Sequence, residues 1–134
     1  MYGSEALEIA KILPYEKGKA FANRVIGVAH WARGNIDLSF KFLLEAEELY
    51  NTIKDSLGLG NSVLNLGMAY ADQLNFESAS QKYEQALSIF KNLNQDSRVA
   101  TTYTKMADLL IQKNEFQAAY DYLIKALELS LIHI

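Results

Sequence analysis

The 134-residue sequence contains no cysteine, one proline and one tryptophan. Without cysteine there is no disulfide framework, no thiolate nucleophile and no cysteine-based zinc site, a usage that fits a reducing, cytoplasmic setting. A single proline and seven glycines leave few obligatory breaks, which suits long helices. Thirteen Lys and Arg against sixteen Asp and Glu give a formal charge of -3, so the basic footprint of a nucleic-acid binder is missing. No apolar run approaches the roughly 18 residues that make a membrane span, and Met1 to Glu5 lacks the basic start and apolar centre of a signal peptide. His30 and His133, the two histidines, stand too far apart in the chain's repeats to share a metal. No nucleophile motif, split carboxylate pair or Gly-Lys-Ser/Thr phosphate loop accompanies them, so the expectation is a non-enzyme with no catalytic residue, metal or cofactor.

What is present is a repeat. Half of the residues are hydrophobic and 22% are charged, enough for one globular domain provided its elements stack. Gly27, Gly67 and Ala107 are separated by 67 - 27 = 40 and 107 - 67 = 40 residues. Ser39, Ala79 and Ala119 keep the same offset, as do Ala46, Ala86 and Ala126. Each unit holds two apolar-periodic segments around a polar break, the pattern of a helical hairpin that buries its face only against neighbours. In the central copy Val63, Leu66, Gly67 and Tyr70 recur at helical steps, followed by Phe76, Ala79, Tyr83, Ala86 and Phe90. Gly67 and Ala79 should mark the crossing, because two helices approach closely only where a side chain is missing. Asn35 and Asn75 are expected to cap second helices, with Asn114 one position early in the third copy. Asp55 or Ser56, and Asp96 or Ser97, are expected to cap first helices.

These residues resemble the tetratricopeptide repeat, which Leu66, Gly67, Tyr70, Ala79, Tyr83 and Ala86 match one by one. The first copy (Ile26, Gly27, His30, Ser39, Leu43, Ala46) and the third (Met106, Ala107, Leu110, Ala119, Leu123, Ala126) match less fully. Two departures are visible. The period is 40 rather than about 34, as in the forty-residue variety found in signalling adaptors and sensors, and the first-helix Trp is replaced by Asn23, Val63 and Tyr103. The resemblance implies an all-α, right-handed α-solenoid of stacked antiparallel helix pairs, about seven helices in one array. Residues 1–13 would be the second helix of a truncated repeat, followed by repeats over 17–53, 57–93 and 97–134.

The resemblance also implies where a partner binds, since first-helix residues not used between helices line the concave groove of such arrays. Those residues are Phe21, Arg24, Val28 and Trp31 in the first copy, Asn61, Leu64, Asn65, Met68 and Asp72 in the second, and Thr101, Lys105, Asp108 and Ile111 in the third. Arg24, Asn65 and Lys105 stand in columns of the family's carboxylate clamp, but Val28 and Thr101 cannot complete it. The Asn65 amide can donate to and accept from a peptide backbone. Trp31 has two readings of equal weight, a binding hot spot or packing against the helix over 1–13.

The expected function is a protein-interaction scaffold that binds a peptide or partner helix in the groove, as the sensor or adaptor segment of a larger signalling protein. A second reading is a structural spacer or self-association module. There the apolar residues Leu131, Ile132 and Ile134 at an uncapped end would pair copies of the chain.

Overall fold

The computed structural model describes the backbone of residues 2–132 and the side chains of residues 14–132. Six helices follow one another, α1 (Tyr2–Ala32), α2 (Ile36–Thr52), α3 (Ser56–Asp72), α4 (Phe76–Asn92), α5 (Asp96–Gln112) and α6 (Phe116–Ile132). Among the described residues there is no strand. The starts of α2, α4 and α6 at 36, 76 and 116 step by 40, as do the ends of α1, α3 and α5 at 32, 72 and 112.

The local cause of this regularity lies in the turns. Gly34, Lys54, Leu74, Asn94 and Asn114 all adopt positive φ, between 55° and 81°, and stand every twenty residues. Each is the left-handed residue of a Schellman motif. The following N–H reaches back five residues, from Asn35 to the His30 carbonyl (2.8 Å), Asp55 to Tyr50 (3.0 Å), Asn75 to Tyr70 (3.0 Å), Gln95 to Phe90 (2.9 Å) and Glu115 to Leu110 (2.8 Å). The same residue opens the next helix, its carbonyl accepting the first bond there, as from Ser39 to Asn35 (2.9 Å). Three residues thus end one helix and begin the next.

Asn75 and Asp55 cap as expected, whereas Asn35 and the start of α5 do not. Asn75 accepts from the Ser78 N–H at 3.3 Å and Asp55 from the Gly58 N–H at 3.0 Å. Asn35 makes no cap bond, its amide lying 3.5 Å from His30 Nδ1. Gln95 rather than Asp96 or Ser97 holds the N-cap position of α5, and its side chain accepts from Arg98 instead of from the helix.

Leu74 carries the largest apolar side chain at positive φ, 59°, and is 68% exposed, so packing gives little in return. A side chain in the left-handed region costs roughly 1–2 kcal/mol, part of which glycine gives back through its looser unfolded state. Leu74→Gly is therefore expected to raise stability by about 0.5–1 kcal/mol, read as a higher midpoint in urea denaturation.

Residues 2–13 do not form a separate helix, and six helices replace the expected seven. Pro14 stands twenty residues before Gly34, at the place of the preceding left-handed turn. Its ring locks φ near -65°, which excludes the left-handed region there, and α1 runs through it although the proline lacks the N–H for one helical bond.

The chain divides into two compact units, Met1–Ser62 and Val63–Ile134. In the first, Ala20, Ala46 and Tyr50 form a buried cluster with Leu49, Ile53 and Leu59 against it. Gly27 admits α2 closely, since a Cβ there would lie 2.7 Å from Leu43 Cγ, and the buried Ser39 hydroxyl donates to the Gly27 carbonyl at 2.8 Å. In the second unit Val63, Leu66, Ala79, Tyr83, Ala86 and Phe90 are buried, joined by Val99 and Ala107 of α5. Gly67 faces Tyr83, whose ring would stand 2.6 Å from an added Cβ. The small-residue columns are therefore steric.

Candidate functional site

In the first unit, α1 exposes Phe21 and Val25 and half-buries Arg24, Val28 and Trp31. The Arg24 guanidinium lies 5.7 Å from the Phe21 ring centre and also hydrogen-bonds the Tyr50 hydroxyl. Burial pushes the Tyr50 phenol above its ordinary range, with Arg24 pulling it back and Asp55 adding to the rise. Arg24 thus anchors a core tyrosine, and Lys17 pairs with Asp55 at 3.4 Å beside it. His30 stacks on Phe42 at 5.5 Å and 17°, which is a packing role. Trp31 cannot pack against residues 2–13, because both lie on one helix and residues 13 and 31 are about 27 Å apart at 1.5 Å per residue. Asn61, on the part of α3 in this unit, is half-buried.

In the second unit, Leu64 is buried, Asn65 and Met68 are half-buried and Asp72 is exposed at the end of α3. On α5, Thr101, Thr104, Asp108 and Ile111 are exposed and Lys105 is half-exposed, a continuous helical stripe. The Thr101 and Thr104 hydroxyls donate to the Ser97 and Ala100 carbonyls at 3.1 and 3.0 Å, so each turns its proton back into the helix. The charges of Asp72 and Asp108 both act on Tyr83. Burial raises the Tyr83 phenol far above its ordinary pKa, and the two carboxylates add to the rise.

The sign of that shift makes a prediction. Above about pH 10 an unfolded tyrosine loses its proton while native Tyr83 keeps it, so the unfolded state binds fewer protons and stability falls as pH rises. Tyr83 should contribute a decline of up to about 1.4 kcal/mol per pH unit in that window. Tyr83→Phe is expected to flatten the alkaline limb of stability measured between pH 9 and 11, relative to its own value at pH 7.

Two features escape the reading of repeat columns. Lys91 and Lys125 stand 5.5 and 5.8 Å from the Tyr103 ring, which stacks on Tyr122 at 5.6 Å. Tyr103 occupies the column of Asn23 and Val63, so its larger ring was the available signal. The second feature is an open trough of about 620 Å³ between α5 and α6, lined by Ala100, Thr101, Leu123, Ala126, Leu127 and Ser130. Thr101 therefore belongs to this trough as well as to the α5 stripe. Of the expected self-association residues, Leu131 and Ile132 are exposed at the end of α6, and Ile134 lies outside the described residues. Among the described residues, no cluster of metal-ligating side chains occurs and no helix is long and apolar enough to cross a membrane.

A tetratricopeptide repeat model matches residues 18–92, and another matches 100–133. The chain belongs to the tetratricopeptide repeat family. Its all-α helical-repeat fold follows, and with it the family's general role as a protein–protein interaction scaffold, usually without catalytic activity. No curated protein matches the sequence significantly.

Solved structures share the tetratricopeptide fold at low identity. BtubC from P. vanneervenii superposes with a TM-score of 0.80 at 17% identity, covering 97% of this chain and 54% of that one. The tetratricopeptide domain of Arabidopsis FLU gives 0.78 at 18%, covering 84% and 95%. Aspartyl phosphate phosphatase F from Bacillus subtilis gives 0.82 at 14%, covering 89% and 31%. The chain thus spans about half the length of BtubC and a third of the phosphatase. At these identities the likeness concerns the fold.

Proposed function

We propose that this tetratricopeptide scaffold binds a peptide or a partner helix along the exposed sides of its first helices, as a cytoplasmic sensor or adaptor segment in signalling. The observation that carries the reading is the stripe on α5, where Thr101, Thr104, Lys105, Asp108 and Ile111 run along one side outside the packed core. Four of the five are exposed and Lys105 is half-buried, and together they combine an apolar contact with charges of both signs. In the first unit Phe21 and Val25, 55% and 43% exposed, offer apolar surface of the same kind beside half-buried Trp31. Apolar anchors ringed by polar groups are the composition of a peptide-binding face rather than of a merely solvated helix side.

The test is affinity capture of partners by the wild-type chain and by Trp31→Ala and Asp108→Lys, with far-ultraviolet circular dichroism confirming intact helices. A partner that binds through this face should lose at least tenfold in affinity in one of the variants, since truncating a hot-spot residue costs about 2 kcal/mol or more. Unchanged affinity in both variants overturns the reading.

A further inference from the structure

The chain contains its own precedent for filling the trough between α5 and α6. In the first unit, Ala20 of α1 and Ala46 and Tyr50 of α2 form the corresponding floor, and the start of α3, at Gly58 and Leu59, lies in it. Leu59 packs on those three residues, and Gly58 sits so close to the Tyr50 ring that a Cβ would stand 2.7 Å from Cζ. Adding two periods to Ala20, Ala46, Leu49 and Tyr50 gives Ala100, Ala126, Leu129 and Ser130, all lining the open trough. There the apolar walls face solvent, with Leu123 39% and Leu127 54% exposed, whereas Leu43, two periods before Leu123, is 1% exposed. The internal interface is thus reproduced on one side, and no helix of the described residues lies in it.

The matching helix face also exists. One period before Gly58 and Ser62, two of the α3 residues that lie buried in the first unit, stand Gly18 and Ala22 of α1. Both are exposed, and nothing lies within 4 Å of a Cβ built on Gly18. Exposed Tyr15 and Ile26 flank them. Lys19 replaces Leu59, and a charged residue of opposite sign, Asp96, lines the trough. An acceptor surface for a first helix and an uncovered first-helix face therefore occur on the same molecule, at different places.

We propose that copies of this chain associate head to tail, the Gly18 and Ala22 face of α1 in one copy seating in the Ala100 and Ala126 trough of the next, as α3 seats within the chain. The contact is heterologous, so each copy keeps one unused face and growth does not close at a dimer. It uses Leu123 and Leu127 in place of the expected Leu131, Ile132 and Ile134. It does not depend on partner binding by the first-helix sides, and Trp31→Ala should leave it intact.

The experiment is sedimentation velocity on the 134-residue chain over a wide dilution series, with Ala22→Glu and Leu127→Glu as variants. Both positions are exposed, so helicity should hold; Tyr15→Glu and Leu127→Lys replace them where circular dichroism shows a loss. The wild-type mass should rise with concentration beyond a dimer. Each variant alone should stay monomeric, and their equimolar mixture should form a dimer and stop, because the good trough of one meets the good α1 face of the other. A concentration-independent monomer, a variant that still associates alone, or a mixture as monomeric as its components overturns the proposal.

Discussion

Phe90→Ala should destabilise the protein by about 3–5 kcal/mol, the range for removing an aromatic side chain from a packed core. Phe90 is the largest of the fully buried side chains, at 0% exposure, and sits in the last turn of α4 one period after Tyr50. Its carbonyl also accepts the Gln95 N–H that closes the turn into α5, so the ring and the backbone of one residue hold the α4–α5 corner. Alanine keeps the backbone bond and removes the ring, and the neighbouring helices, fixed by three-residue turns, can collapse only partly into the space. Against a total stability of about 5–15 kcal/mol, the loss is large. In urea the midpoint should fall by about 2 M, taking a slope of 1–3 kcal/mol per molar. A loss below about 1 kcal/mol would mean that the cavity closes by repacking, contrary to the close packing assumed here.

Gly58→Ala and Gly18→Ala, the same substitution one period apart, should move stability in opposite directions. At Gly58 the new Cβ would overlap the Tyr50 ring, whose side chain is 3% exposed and tied through its hydroxyl to Arg24, so the ring cannot swing away. Overpacking of this kind costs about 1–3 kcal/mol, which exceeds the gain of up to about 1 kcal/mol from replacing a helical glycine. At Gly18 nothing lies within 4 Å, and the helix-propensity gain of up to about 1 kcal/mol should appear alone. Guanidinium denaturation of dilute protein measures both. Combining Gly58→Ala with Tyr50→Leu should recover part of the first loss, a coupling that a double-mutant cycle reads directly. Equal effects at the two glycines would show that the crossing of α3 on α2 is not steric.

The contrast between these glycines shows how far the repeat could be read. The forty-residue period placed Gly27 and Gly67 at close helix contacts and Ala46 and Ala79 in the buried core, because a helix repeats its faces every three or four residues and a missing side chain leaves the same mark in each copy. It could not separate Gly18 from Gly58, since only the neighbouring helix distinguishes an open position from a filled one. Nor did it show the twenty-residue rhythm of left-handed turn residues. Gly, Lys, Leu and Asn occupy them in turn, and the common factor is backbone conformation rather than side-chain chemistry.

The site follows the same division. Arg24 reads as a groove cation in its column, yet the structure gives it to Tyr50, twenty-six residues later on another helix. Asp72 and Asp108 read as separate groove acids, yet both charges act on Tyr83. Sequence alone determined the helical class, the hairpin period, the family and the steric columns, all of which are properties of local periodicity. Tertiary structure decided that α1 runs unbroken through Pro14, which side chains pair across helices, and that the α5–α6 trough repeats a floor filled elsewhere in the chain. Those outcomes depend on which helix packs against which, and a one-dimensional period does not encode the distance between two helices.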